Sequence, residues 1–250
     1  MDRTNKTRAI VLKAIRYGDN SLIVKLLTEQ SGLQSFMIKG AFNKTSKIRA
    51  ALFQPLTLLD IVAANSRGDL GYLREATVEY SYKTIPFDIN KYSIVLFISE
   101  LLSKAIQDSE TDIELFDFVH DAMTHLDEIS ANCADFPLKF SIELSRYLGF
   151  SPNISDYEKG YVFDLQEGYF RHDGNGVIYL IDSQLSELFK RICTASISDD
   201  ANLNLRNSDR RQLLEHVVTY YKLHVSGFND MNSNEILKSV LSDTTRVSSL

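Results

Sequence analysis

Ala9-Ile-Val-Leu-Lys-Ala-Ile-Arg-Tyr17, Leu22-Ile-Val-Lys-Leu-Leu-Thr28 and Leu33-Gln-Ser-Phe-Met-Ile38 are three short runs rich in aliphatic and β-branched residues. Gly18-Asp19 and Gln30-Ser31-Gly32 separate them, and both separators hold residues that favour tight turns. Lys39-Gly40 ends the third run. Outward from there, Leu52–Ala64 resumes an apolar stretch in which Pro55 is tolerated near the start or on an edge. Arg67-Gly68-Asp69 then turns into Gly71–Tyr80. Five strand-like blocks with turns roughly every eight to twelve residues predict a small barrel or sandwich.

From Asn90 the apolar period changes to that of a helix. Tyr92, Val95, Leu96, Ser99, Leu102 and Ile106 share one face, with Glu100 four residues before Lys104 in the favourable order. Thr111 and Glu114 have capping-box spacing ahead of Leu115, Phe116, Val119 and Met123. Asp135 is placed to cap a helix with Pro137 in its first turn, burying Phe140, Leu144, Tyr147 and Leu148 and stopping at Gly149. A hairpin is expected over Tyr161–Leu165 and Tyr169–Arg171, with Gly168 near its turn. Helical spacing returns at Leu185, Leu188, Phe189 and Ile192, then at Leu214, Val217, Val218, Tyr221 and Val225, and at Ile236, Leu237, Val240 and Leu241. The linear division is therefore a β domain over 1–80, a helical domain over 81–242 with a hairpin insert at about 151–180, and a frayed tail, Asp243–Leu250.

Catalytic chemistry finds no foothold. His120 and His125 lie five apart, about 140° around a helix, so they do not form an i, i+4 metal pair and read as solvent-facing. Gly174-Asn175-Gly176 lacks the third glycine of a dinucleotide loop, and neither a phosphate-cradling loop nor a nucleophile elbow is present. The acidic cluster Asp108, Glu110, Asp112 and Glu114 falls at a helix start, where carboxylates complement the dipole. Cys133 and Cys193 have no second Cys or His at ligand spacing, which argues against zinc and against a disulfide framework and suits a reducing cytosol. The opening residues hold no apolar leader and no uncharged stretch reaches membrane length, so a cytoplasmic protein without cofactor is expected.

Charge is unevenly spread. The chain holds 33 acidic against 27 basic residues, yet residues 1–80 hold 12 Lys+Arg against 7 Asp+Glu. Between Gln30 and Leu59 there is no carboxylate, while Lys39, Lys44, Lys47 and Arg49 are all present. Local charge sets the potential that a phosphate meets, so this segment suits a polyanion. Phe42 lies inside it, and Phe36, Phe53, Tyr17 and Tyr72 are further rings for base stacking. The plainer reading is a solvated basic loop with those rings in the barrel core. The carboxylate-free stretch favours binding.

Ala9-Ile-Val-Leu12, Tyr17-Gly-Asp19, Ser21-Leu-Ile-Val24, Leu27-Thr-Glu29, Gly32 and Lys39-Gly-Ala41 resemble the opening of the RecO family of bacterial recombination mediators. The similarity continues through Leu52, Gln54-Pro55, Leu73-Arg-Glu-Ala76, Ile98-Ser-Glu-Leu-Leu102, Leu115-Phe-Asp117, Leu138-Lys-Phe140 and Tyr147-Leu-Gly149. It covers nearly the whole chain, and the ordered set is more specific than any one match. The resemblance implies an α+β protein: an N-terminal OB-fold barrel, then a helical domain with a small zinc-ribbon-like insert. Many members carry four cysteines as two Cys-x-x-Cys pairs around that insert. Ser151–Asp173 has none, so zinc should be absent and the hairpin held by Tyr161, Phe163, Tyr169 and Phe170.

The resemblance further implies a non-enzymatic, nucleoid-associated DNA-repair mediator, monomeric on its own. It would bind single- and double-stranded DNA, anneal strands, and help load recombinase onto strands coated with single-strand-binding protein. The implied partners are RecR, RecA and the C-terminal tail of single-strand-binding protein. The DNA contacts expected on this chain are Lys39, Lys44, Lys47, Arg49, Arg8 and Phe42, with Arg3 and Lys6 as a basic approach. Lys139 matches a basic position that the family uses against the acidic-apolar tail, with Phe140 and Leu102 as groove neighbours. Two rival readings remain: a barrel that docks a protein partner without DNA, and a barrel that serves RNA.

Overall fold

The computed structural model describes residues 4–64, 70–107, 110–130, 132–198 and 203–243. Arg3, Asp108 and the tail from 244 lie outside them. By packing, the chain divides into one unit of Met1–Phe87 with Ser99–Asp127, and a second of Asp88–Ile98 with Glu128–Leu250.

The first unit is built on five strands, β1 (Thr4–Tyr17), β2 (Ser21–Thr28), β3 (Gly32–Ile38), β4 (Leu58–Ala64) and β5 (Leu70–Tyr80). They close into a barrel in the order β1-β2-β3-β5-β4, sealed by antiparallel pairing of β1 with β4, while β3 and β5 run parallel. This is the expected OB fold. Ala9, Val11, Val24, Leu26, Phe36, Leu59 and Ile61 fill it. Phe36 fits because Gly71 sits opposite: a Cβ there would lie 2.8 Å from the ring. A bulge between Val11 and Lys13 re-phases β1, which lets Val11 and Leu12 both be buried on opposite faces. The carbonyl of Leu12 accepts the Ser99 hydroxyl at 2.7 Å.

Strand β4 starts later than the apolar run over Leu52–Ala64 predicts. Ala50–Phe53 forms a 3-10 turn, and Leu56 takes a left-handed φ of 55°. Its N–H donates to the Val11 carbonyl at 2.7 Å, and its carbonyl accepts the Tyr82 hydroxyl at 2.7 Å. Burial of the Leu56 side chain offsets the backbone strain.

Six α-helices are described: α1 (Ile89–Ala105), α2 (Ile113–Glu128), α3 (Phe136–Tyr147), α4 (Ser183–Thr194), α5 (Asn207–His224) and α6 (Ser233–Asp243). The expected single face of α1 is too narrow, since Ile94, Phe97, Ile98 and Leu101 are fully buried as well. Capping also differs. Asp112, not Thr111, caps α2 by accepting the Leu115 N–H at 2.9 Å, and the Thr111 hydroxyl goes to the Gln30 carbonyl. Asp135 stands before α3 but gives its carboxylate to Arg210 and to the Leu203 N–H. Gly149 ends α3 at a φ of 83°, as the sequence predicts. In α6, Ile236 is exposed rather than buried, and Leu237 and Lys238 turn inward.

The insert of the second unit is a three-stranded sheet, β6 (Val162–Asp164), β7 (Tyr169–Arg171) and β8 (Leu180–Ile181), in the order β7-β6-β8. Its turn is made by Asp164, whose carboxylate accepts the Gln166 and Glu167 N–H groups. Phe163 and Phe170 anchor it, packing edge-on to one another and against Phe189. Tyr161 and Tyr169 do not: Tyr169 is exposed, and Tyr161 lies edge-on to His172. Tyr220 takes their place, touching Phe163 and donating its hydroxyl to the Phe150 carbonyl at 2.6 Å.

Candidate nucleic-acid interface

The basic segment is a built loop rather than a loose one. Ala41 and Ile48 are buried in the barrel core at its two ends, and the Ala50 N–H donates to the Ala41 carbonyl at 3.0 Å. Inside, Gly40 at a φ of 67° and the Asn43→Gly40 and Ser46→Asn43 backbone bonds fold it back on itself. With the aliphatic residues inward, Phe42, Lys44, Lys47 and Arg49 are left exposed. Lys39 is exposed where β3 ends, its ammonium 5.4 Å from the centre of the Tyr72 ring. An open groove of about 260 Å³ lies here, lined by Met37, Lys39, Ser46, Lys47, Tyr72 and Arg74 among others.

Strand register extends this surface across the barrel. Ile15, Ile23, Met37 and Tyr72 are direct neighbours on four strands, on the face away from the core. Two residues further along each strand, Lys13, Lys25, Ser35 and Leu70 form the next row. The Lys25 ammonium is held below its ordinary pKa, by burial first and then by the charge of Lys13. On the other side of the apolar row Tyr17 ends β1 opposite Ser21, and Lys39 directly follows β3. Arg16 places its guanidinium 5.0 Å from the Phe42 ring centre. An apolar, ring-bearing strip edged by cations offers stacking surface to bases and charge to phosphates.

The expected rings divide between two roles. Phe42, Tyr17 and Tyr72 are exposed, whereas Phe36 and Phe53 belong to the core. Arg8 stands apart from the loop cations. Its guanidinium bonds Glu29 at 2.8 Å and Asp117 at 2.9 Å and covers the Phe116 ring. That pairing, led by the bond to Glu29, raises the Arg8 pKa, and the same bond to Arg8 lowers the Glu29 carboxyl. Arg8 thus ties β1, the end of β2 and α2 together. Lys6 is exposed on β1. Arg16, Lys13, Lys25 and Arg74 were not legible in the sequence, because only register shows which side chains share a row. Their one signal is spacing: Lys13, Ile15 and Tyr17 share a parity, as do Ile23 and Lys25.

The residues expected to take an acidic-apolar tail are all buried. Phe140 and Leu102 are each 0% exposed and Lys139 only 7%. Their helices are buried on more sides than one amphipathic stripe suggests. The histidines expected to face solvent are both only partly exposed, and His120 lies between Glu79 and Asp121 at 3.2 Å from each. Among the described residues no group of three or more His, Cys, Asp or Glu is placed to hold a metal ion, and Cys133 and Cys193 are free thiols. Burial pushes the Cys133 thiol up to about 11. No described helix is long and apolar enough to cross a membrane.

Comparison with known proteins agrees with this architecture. Residues 1–82 match the family model "Recombination protein O N terminal", and residues 86–233 match "Recombination protein O C terminal". A DNA repair protein RecO of Flavobacterium psychrophilum is 36% identical over 95% of this chain and 99% of its own length. Those of Flavobacterium johnsoniae and Porphyromonas gingivalis are 33% and 29% identical, over 95% and 94% of this chain and 99% and 98% of their own. Two family models that together span the barrel and helices α1 to α5, with relatives matched almost end to end, establish that the chain belongs to the RecO family.

Proposed function

We propose that this chain is a non-enzymatic DNA-repair and recombination mediator that holds single-stranded DNA on the outer face of its barrel. The observation that carries this reading is the anchored, carboxylate-free loop bearing Lys44, Lys47 and Arg49 beside a groove with Tyr72 and Lys39, on a chain that is otherwise acidic. The loop cations would take phosphates, and Tyr72 and Phe42 would stack bases. In this reading the bound strand is offered for annealing and for recombinase loading, with RecR, RecA and single-strand-binding protein as partners in the cytoplasm and nucleoid. The relatives' names support the repair role.

Fluorescence anisotropy with labelled oligonucleotides over a salt series tests it. Log affinity for single-stranded DNA should fall with log salt, the loop cations alone contributing a slope of roughly −2 to −3 at about 0.7 for each phosphate neutralised. Lys44→Ala/Lys47→Ala/Arg49→Ala should flatten the slope with little change in melting temperature, because exposed charges contribute little stability. An unchanged slope would move the DNA site elsewhere, and a clear preference for the RNA oligonucleotide of the same sequence would favour the RNA reading.

Capture of the acidic-apolar tail of single-strand-binding protein is assigned in this reading to the helical domain. Titration of a tail peptide against Lys139→Gln, with the melting temperature followed in parallel, tests that position. Weaker peptide binding at an unchanged melting temperature supports it, and unaltered binding removes it.

A further inference from the structure

Lys13 and Lys25 face one another directly across β1 and β2. Two like charges at directly opposed positions on one face of a sheet repel and weaken it. Among the described residues neither ammonium has a hydrogen-bond or ion-pair partner. Lys25 is half-buried, so solvent screens its charge poorly. The β1 bulge at Val11/Lys13 sets this register, so the juxtaposition follows from the backbone and not from a chance rotamer. Ser35, the next residue in the same row, brings a hydroxyl donor to the side of Lys25.

Two cations and a hydroxyl without an acceptor among the described residues are what an anion needs, and the anion's class follows from what adjoins them. The row is flanked by Ile15, Ile23, Met37 and Tyr72, beyond which stand Lys39 and the basic loop. Four residues of strand separate the two cationic edges, about 13 Å. A free phosphate would need one edge only, whereas a chain of phosphodiesters with bases between uses both edges and the apolar strip. We propose that Lys13 and Lys25, with Ser35, form a second phosphate seat, so that a single strand crosses the barrel from the basic loop to this pair with its bases over the Ile15–Tyr72 row. This rests on the nucleic-acid reading above and adds the far end of the path.

The test compares wild type, Lys13→Gln/Lys25→Gln and the loop triple variant, using a fluorescein-labelled oligothymidylate of about 16 nucleotides, the upper site size of one such barrel. Losing two phosphate contacts should make the salt slope of Lys13→Gln/Lys25→Gln shallower by about 1.4 and weaken binding on the order of tenfold near 0.1 M salt. The melting temperature of the same variant should equal or exceed that of wild type, because a repulsion has been removed. Wild-type slope and affinity in this variant, with a flattened slope in the loop variant, would overturn the second seat and leave the DNA reading intact. Failure of wild type to bind the oligonucleotide would overturn both. A lowered melting temperature would also overturn the seat, since the lysines would then be holding the sheet together rather than waiting for an anion.

Discussion

Asp127 shows how much one buried carboxylate can organise. It accepts the backbone N–H groups of Lys83, Thr84 and Ile85 at 2.8, 2.8 and 3.0 Å, tying the chain after β5 to the end of α2. Burial raises its carboxyl pKa, but these donors outweigh burial and leave it below the ordinary value of 3.8. A folded pKa below the unfolded one means the stabilisation is complete above about pH 4 and is lost as pH falls through the folded value. Asp127→Asn turns an amide NH₂ toward N–H donors and should cost about 2–3 kcal/mol at pH 7. Urea unfolding over a pH series should show its acid limb below pH 4 flatter than that of wild type; parallel limbs would refute this assignment. Gly71 is decisive for a different reason, space rather than dihedral freedom. Gly71→Ala drives a methyl to 2.8 Å from the Phe36 ring and should destabilise by about 1–3 kcal/mol, read as a melting temperature lower by several degrees.

At the scale of elements, polar straps decide what the cationic residues of the barrel are for. Arg8 joins β1 to α2 through Asp117 and to the end of β2 through Glu29, and it remains about one-third exposed. Arg8→Gln should therefore lower stability by about 1–2 kcal/mol, discounted for solvent screening, and leave the salt slope of DNA binding unchanged. A flattened slope in that variant would return Arg8 to the interface. In the insert, Phe163 meets Phe170, Phe189 and Tyr220 and has no exposed surface. Truncation to Ala should cost about 3–5 kcal/mol and loosen β6–β8, seen as early hydrogen exchange at Asp164 and Ile181.

For the whole molecule, the charge division sets its behaviour toward polyanions. A net charge of −6 repels nucleic acid at long range, whereas the carboxylate-free loop gives the barrel a local potential of the opposite sign, which raised salt screens. The insert's anchoring by aromatic side chains leads to a further expectation. Purified protein should carry no stoichiometric zinc, and chelator should leave its melting temperature unchanged, as metal analysis with thermal melts would show. One tightly held zinc per chain would contradict this and expose an unrecognised ligand set.

Local chemistry was sufficient for the elements themselves. Apolar alternation marked β1, β2, β3 and β5, helical spacing marked α1 to α6, and glycines at 18, 32, 40, 149 and 168 marked chain reversals whose φ values are positive. The carboxylate-free loop was equally legible, since charge along a chain needs no fold to be counted. What depended on the tertiary structure was every relation between distant residues. Sequence parity places Lys13 and Lys25 each on a strand face, but a bulge and a turn bring them opposite one another. Arg8 looks like any basic residue until Asp117, more than a hundred positions away, takes it. Phe140 and Leu102 have helical spacing that suits a groove as well as a core, and neighbouring elements alone cover them. Periodicity is a property of a few consecutive residues, whereas register, pairing and enclosure arise from chain segments that meet only on folding.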